Sequence, residues 1–206
     1  MIEKYLKYKS QCSTKEIDEI IKIGKELSIS QKTIATAINI FYKHKYQNRK
    51  DCESRIAIPA CYLLACKIND CHRNVKEIIG ACISFWNRKN KSINEIDLDE
   101  VLDMELYLCD LTNFEFNYPD WYNYLQQKCT GLFCTSMVSK TAWILLNDTF
   151  YLPFCMYFTP RNTVIACVFL AMKIRKFDFE VSKYLNDDIK FIMNEMLELY
   201  LKMYDK

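Results

Sequence analysis

The 206-residue chain contains only three glycines and four prolines, which excludes a fold built on many hairpins and tight turns. Half of its residues are apolar, which excludes a disordered chain. The net charge of +2 gives no broad field for steering onto nucleic acid, although a local basic patch is still allowed. We therefore expect an all-α protein of one large or two small domains.

Capping signals predict the first two helices. Ser13 and Glu16 have the spacing of a capping box, which opens a helix that ends near Leu27. Ser30 can cap a second helix, because its side chain can accept a free backbone N–H of the first turn.

Three more helices complete the predicted first half. Pro59 should lie close to the start of the third helix, which continues through Lys67, since a proline inside a helix removes a hydrogen bond. Asn74 can cap the fourth helix. Apolar periodicity predicts a fifth helix over residues 96–112.

The second half reads as helical after a short extended connector at residues 114–118. Pro119 and Pro160 both suit the first position of a helix. Residues 175–186 lack clear periodicity, so a helix there would be short or irregular. The predicted helical segments are residues 119–128, 134–148, 160–174 and 187–204.

An internal repeat indicates how these helices are organised. Residues 60–67 and 166–173 are identical at five of eight positions, at an offset of 106 residues. This period is too long for a solenoid, whose units repeat every ~20–50 residues. Both segments are apolar all round, so each should be a buried helix wrapped by its neighbours. We predict two tandem five-helix bundles, over residues 1–118 and 119–206.

The eleven cysteines raise the question of metal or redox chemistry. Most lie on apolar helical faces, as Cys61 and Cys167 do, where free cysteine behaves as a small hydrophobe. We expect reduced thiols in a protein without a signal peptide. Cys66, Cys71 and His72 form the one metal-like cluster, and no fourth ligand completes it. No metal or cofactor is predicted.

The sequence shows no active-site motif and no apolar run of the ~18–20 residues that span a bilayer, so we expect neither an enzyme nor a membrane protein. His44 and His72 lie in polar surroundings and should be solvated.

Phe114 and Phe116 alternate on the connector and therefore face one side. The residues alone favour core positions for this aromatic pair, with an exposed interface anchor as the alternative.

Lys67 and Glu105 are the most informative charged residues. Glu105 lies on the apolar stripe of the fifth helix, where burial is costly unless the carboxylate is paired. Lys67 ends the buried third helix, so its stem can pack while its ammonium reaches a partner. The two residues are either an internal ion pair or a pair of polar groups that binds another protein.

Taken together, these segments resemble the cyclins over nearly the whole chain. Residues 24–37 are similar to the passage between the first and second helices of transcriptional cyclins, and residues 58–67 resemble the third helix. Glu105 falls on the family's glutamate, nine residues before Phe114. In the second half, residues 142–149, 158–160 and 165–167 look most like cyclins of the T and K type, including cyclin subunits of fungal RNA polymerase II tail kinases.

The resemblance implies a regulatory subunit that binds and activates a cyclin-dependent kinase in the nucleus, with the RNA polymerase II C-terminal repeats as the kinase's substrate. It also implies which residues bind the kinase: Lys67, Glu105, Cys109, Phe114 and Phe116. In cyclins the matching lysine and glutamate bind backbone groups at the αC helix of the kinase, and the matching apolar residues pack against that helix.

One departure from the cyclin pattern bears on whether the chain is a transcriptional or a cell-cycle cyclin. The Met-Arg-x-Ile-Leu docking signature of cell-cycle cyclins is absent, and residues 21–24 stand in its place. A divergent cell-cycle or scaffold cyclin is one alternative. A general transcription factor of the TFIIB type shares the duplicated fold, but it would be expected to show a basic face and a zinc ribbon, so no direct nucleic-acid contact is predicted.

Overall fold

The computed structural model describes residues 2–9, 13–47, 53–89, 91, 93–180 and 184–204. All regular structure in these residues is helical, which confirms the all-α prediction. None of the helices described has the length and hydropathy needed to cross a membrane. The α-helices are α1 (Ile2–Lys9), α2 (Thr14–Glu26), α3 (Gln31–Gln47), α4 (Ser54–Ile68), α5 (Val75–Arg88), α6 (Leu98–Leu111), α7 (Trp121–Gly131), α8 (Ser136–Thr149), α9 (Pro160–Ile174) and α10 (Asp187–Tyr204), with a 3-10 turn at Pro153–Met156.

The helices form two compact units. The first unit is Ser10–Tyr118 and contains α2 to α6, and the second unit is Pro119–Lys206 together with Met1–Lys9. Residues 2–9 therefore belong to the second unit and not to the first, where the predicted boundary of 1–118 places them. Tyr5 of α1 is fully buried in the second unit, where its ring stacks on Phe154 at 5.6 Å and its hydroxyl donates to Glu195.

The repeated segments lie in the central helices of the two units. Helix α4 packs against α2, α3, α5 and α6, and α9 packs against α7, α8 and α10. Both central helices have 15 residues, and the offset of 106 separates their first residues and their last. Leu64 and Leu170, which are equivalent in the repeat, are 3% and 4% exposed. The predicted pair of buried central helices is therefore confirmed.

Two details of the helix starts in the first unit differ from the prediction, as does the start of α7, whose N-cap is Asp120 and which therefore leaves Pro119 outside the helix. Pro59 is the sixth residue of α4 and lies inside the helix, one turn beyond the positions whose N–H groups have no intrahelical partner. Ser13 precedes α2 but makes no side-chain cap bond, and Glu16 pairs with Lys45 at 3.0 Å instead of closing a capping box. Ser30 caps α3 as predicted by accepting a backbone N–H.

Helix α2 is fixed to the first unit by a buried polar group and a close helix approach. The carboxylate of Glu19, 2% exposed, accepts the indole N–H of Trp86 at 2.9 Å and pairs with Lys91 at 2.8 Å. At Gly24, an added Cβ would lie 2.6 Å from the hydroxyl oxygen of Tyr62, so only glycine fits there. The glycine lets α2 lie directly against the central helix α4, and Glu19 connects α2 to α5.

Candidate functional site

A cavity of about 660 Å³ lies between α4, α6 and the segment that follows α6 in the first unit. We call it the α4–α6 groove. All five residues that the resemblance implied for kinase binding line this groove: Lys67, Glu105, Cys109, Phe114 and Phe116. The rest of its lining is aliphatic and consists of Leu64, Ile68, Leu102 and Leu106.

Lys67 and Glu105 form an ion pair at the groove. The Lys67 Nζ lies 2.8 Å from each of the two carboxylate oxygens of Glu105. The lysine side chain is 60% exposed and the glutamate side chain is 10% exposed. The Oε1 of Glu105 is buried beside the Lys67 ammonium, and it accepts no well-directed hydrogen bond from the residues that the structure describes. The pair is thus internal, and its ammonium still has N–H groups free to donate to another molecule.

The end of α4 places Lys67 at the groove. Ten consecutive residues of α4, 57–66, are buried, and Lys67 is the first exposed residue after them. Asp70 then adopts a φ of 51°, and the Cys71 N–H donates to the carbonyl of Cys66 at 2.8 Å, which ends the helix. A lysine in the last turn is favourable because the C-terminal end of a helix carries partial negative charge.

The end of α6 places the aromatic pair. Asn113 and Phe114 have φ values of 50° and 56°, and the Phe114 N–H donates to the carbonyl of Cys109 at 2.9 Å. This reversal brings the rings of Phe114 and Phe116 to 6.2 Å from each other in an edge-to-face arrangement. Phe114 is 61% exposed, so the core position favoured by the residues alone is wrong for it. Phe116 is half-buried.

Cys109 contributes an apolar wall to the groove. Burial raises the pKa of its thiol, and the neighbouring carboxylate of Glu105 raises it further, while Lys67 opposes both effects. The thiol is therefore held in its neutral form. Nothing in this arrangement activates Cys109 as a nucleophile, since nucleophilic cysteines need a lowered pKa.

Two leucines of α6 add exposed apolar surface to the groove, and sequence reasoning assigned neither of them to the site. Leu102 and Leu106 are 40% and 64% exposed on the outer side of α6. Apolar periodicity counts Leu102 with Val101 and Cys109 on one stripe of this helix, although Val101 is buried and Leu102 is exposed. Leu102, Leu106 and Cys109 form a second stripe at i, i+4 and i+7, and that spacing is the signal that would have identified them.

The other candidate groups behave differently. His72 is exposed as predicted, but His44 is 3% exposed, so the prediction of a solvated residue is wrong there. The His44 ring packs edge-on against Tyr107 at 6.0 Å, and burial lowers its pKa. Among the residues that the structure describes, Cys66, Cys71 and His72 do not form a metal-binding group, and the nine cysteines there are free thiols.

Comparison with known proteins identifies the family. Residues 3–117 match the sequence profile of the cyclin N-terminal domain. The chain belongs to the cyclin family. Cyclin-C1-2 of Arabidopsis thaliana is 25% identical over 190 residues, covering 87% of this cyclin and 71% of the relative. Cyclin-T1-5 of the same plant is 25% identical over 201 residues, covering 86% of this cyclin and 34% of the relative.

The fold is shared with a chain of a solved kinase complex. A chain of the yeast RNA Pol II CTD kinase CTDK-1 complex superposes with a TM-score of 0.78, covering 98% of this cyclin and 68% of that chain. The sequence identity is 16%, so this likeness concerns the fold. The resemblance to transcriptional cyclins stated from the sequence is confirmed, and its relatives include the C type as well as the T type.

Proposed function

We propose that this cyclin is a regulatory subunit that binds and activates a cyclin-dependent kinase through the α4–α6 groove, and that the kinase phosphorylates the C-terminal repeats of RNA polymerase II in the nucleus. The observation that carries the proposal is the convergence of Lys67, Glu105 and the Phe114–Phe116 pair around one apolar groove. The C- and T-type relatives and the tail-kinase complex of the same fold support the transcriptional assignment.

The groove has the composition needed to bind a helix of the kinase. Leu102, Leu106 and Phe114 offer exposed apolar surface, and an amphipathic helix that covers them removes this surface from water. The Lys67 ammonium can donate to a backbone carbonyl at the end of that helix. The carboxylate of Glu105 has further lone pairs with which to accept a backbone N–H of the kinase. Apolar contact would supply affinity, and the polar pair would fix the orientation of the helix.

Activation then follows from differential affinity. A protein kinase is active only when its β3 lysine–αC glutamate ion pair and its metal-binding aspartate are in place. A groove that fits the αC helix in its active position binds that state better and so increases its population. A shift from 1:99 to 99:1 requires about 5.5 kcal/mol of differential binding, which a few buried anchors can supply.

The test of the binding site uses the repeat for its control. In a reconstituted complex with the host's polymerase-tail kinase, Lys67→Ala and Glu105→Ala should each weaken binding by roughly 1–3 kcal/mol. Lys173→Ala removes the equivalent, exposed lysine of the second unit and should leave binding unchanged. Normal kinase binding by both groove variants, combined with early thermal unfolding, would assign the ion pair to the internal role alone.

The test of the substrate uses the same complex. Kinase activity on a tail-repeat peptide should exceed activity on histone H1, and adding an Arg-x-Leu segment to either substrate should bring little gain. A strong preference for the Arg-x-Leu substrate would place this protein among cell-cycle cyclins. Binding without activity on either substrate would indicate a scaffold cyclin.

A further inference from the structure

A second exposed apolar surface lies on the second unit, remote in sequence from the α4–α6 groove. Phe133, in the turn after α7, is 89% exposed, and three side chains of α8 are exposed beside it in sequence: Met137 at 55%, Trp143 at 42% and Ile144 at 58%. We call these four residues the α8 face. Single exposed apolar residues are ordinary, but four within twelve positions, on one turn and one helix, indicate a binding surface.

The internal repeat shows that the equivalent face of the first unit is covered. At the offset of 106 residues, α7 and α8 correspond to α2 and α3. Three residues of the α8 face have buried apolar counterparts in the first unit: Leu27 at 5%, Ala37 at 0% and Ile38 at 1% exposed. Helix α3 packs against α2, α4 and also α6, whereas α8 packs mainly against α7 and α9 and meets α10 through the hydrogen bond from Tyr200 to Asp148. A face that is covered within the first unit is therefore open to solvent in the second.

A small cavity adjoins this face. It has a volume of about 230 Å³ and is lined by Leu125 and Cys129 of α7 and by Ser139 and Trp143 of α8, among others. The Trp143 ring forms one wall and lies 4.6 Å from the ring of Tyr122. The tryptophan is thus held against α7, and the cavity offers an apolar side chain of a partner a place to insert.

The charge around the face is positive. Residues 121–147 contain no aspartate or glutamate, and Lys128 and Lys140 are their only charged side chains. Asp120 and Asp148 bound this stretch, and the Asp148 carboxylate accepts the Tyr200 hydroxyl of α10 at 2.5 Å. Arg175, at the end of α9, donates its Nε–H to the Thr141 hydroxyl of α8 at 2.7 Å and so adds a third cation. An occupant with acidic flanks would match this surface.

We propose that the α8 face binds an amphipathic helix of a partner protein, with apolar side chains against Trp143 and Ile144 and with aspartate or glutamate along its flanks. The helical form follows from the repeat, because helices cover the equivalent face of α3, and the acidic flanks follow from Lys128, Lys140 and Arg175. The four residues of the α8 face are distinct from the residues that line the α4–α6 groove.

Trp143 supplies the signal for a test. The chain has three tryptophans, and Trp86 and Trp121 are 1% and 4% exposed, so Trp143 is the one that reports on solvent access. The probe is a synthetic 18-residue helical peptide with leucine at i, i+3, i+4 and i+7 and glutamate on its flanks. Binding should shift Trp143 emission to the blue and protect it from acrylamide. The same peptide with lysine in place of glutamate should bind at least tenfold more weakly.

Variants separate this site from a general effect. Ile144→Glu should weaken binding of the glutamate peptide at least tenfold, measured by the anisotropy of a labelled peptide. Leu201→Glu adds the same charge at a leucine of the same unit that is 64% exposed, and it should leave the affinity unchanged. Thermal unfolding should show that both variants are folded, and kinase binding should be retained in both.

Three outcomes would overturn the proposal. The first is equal binding of the glutamate and lysine peptides, and the second is an affinity that Ile144→Glu does not change. The third is concentration-dependent dimerisation of the cyclin alone that Ile144→Glu abolishes, which would assign the face to a second copy of this chain. None of these outcomes bears on the α4–α6 groove, so the proposed kinase binding would stand or fall separately.

Discussion

The ammonium of Lys67 lies 2.8 Å from both carboxylate oxygens of Glu105, although the two residues are 38 positions apart and belong to different helices. The contact orders both side chains before any partner arrives. A binding site whose polar groups are already in place loses less conformational entropy on association. An internal ion pair and a kinase-binding pair are therefore compatible roles for the same two residues.

The first prediction separates those roles by a double-mutant cycle. In the isolated cyclin, Lys67→Ala should lower the free energy of unfolding by less than about 1 kcal/mol, because the lysine is exposed and screened by water. Urea unfolding and binding calorimetry should be compared for Lys67→Ala, Glu105→Ala and the double variant. If the substitutions reduce the free energy of kinase binding by less than they reduce the free energy of unfolding, the proposed kinase-binding role is contradicted.

The second prediction concerns the exposed leucines. Leu106, in the groove, and Leu201, on α10, are each 64% exposed. Both alanine variants should change the free energy of unfolding by no more than about 0.5 kcal/mol, since little of either side chain is buried. Leu106→Ala should weaken kinase binding by about 1–2 kcal/mol, and Leu201→Ala should not. Equal effects of the two variants on binding would rule out the groove as the contact.

The third prediction is a pH dependence from His44. Its folded-state pKa is lowered, first by burial and then by Lys45, with Glu16 acting in the opposite sense. The unfolded state therefore binds more protons than the folded state just below the ordinary histidine pKa of ~6.5. The stability associated with neutral His44 is complete above that value and is lost as the pH falls below it.

The measurement is urea unfolding between pH 7.5 and 5. His44→Leu should reduce the loss of stability at the acidic end. His72→Gln is the matched control, because His72 is exposed, and it should leave the profile close to that of the unaltered protein. An identical pH dependence in the His44 variant would show that other groups control acid unfolding.

The sequence predicted most of the helices of both units because their signals are local. The repeated segments of α4 and α9 are apolar all round, Lys67 stands out at the end of α4, and Glu105 stands out as a carboxylate on the buried stripe of α6. Residue types and spacing suffice for such features. The family resemblance then supplied the kinase-binding role for the residues that the structure gathers at the groove.

What the sequence did not reveal depends on contacts between distant residues. His44 has lysines on both sides in the sequence, yet it continues the buried face of α3 three residues after Phe41 and packs on α6. Phe114 follows an apolar helix, but the reversal of the chain at Asn113 directs it outward. Burial at such positions is decided by which helix packs alongside, and local periodicity does not contain that information.

The last prediction tests the clearest case of a distant contact, the packing of α1 in the second unit. Tyr5 is fully buried, and its hydroxyl donates to Glu195, which lies 190 positions away in the sequence. Its ring lies 5.5–5.8 Å from four aromatic rings, those of Phe154, Tyr157, Phe158 and Phe191. Tyr5→Ala should destabilise the protein by about 3–5 kcal/mol, the range for removing a buried aromatic ring. Tyr5→Phe keeps the ring and should cost only about 1–3 kcal/mol, because Glu195 loses one donor but keeps its ion pair with Lys9.

Leu6→Ala provides the control within the same helix, since Leu6 is 46% exposed, and it should be close to neutral. Hydrogen exchange should locate the effect. In the Tyr5→Ala variant, protection should fall first in α10 and around residues 153–158, which contact Tyr5, before it falls in α4. If Tyr5→Ala unfolds no more easily than Leu6→Ala, the packing of α1 contributes nothing to the second unit, and its stability must come from α7 to α10 alone.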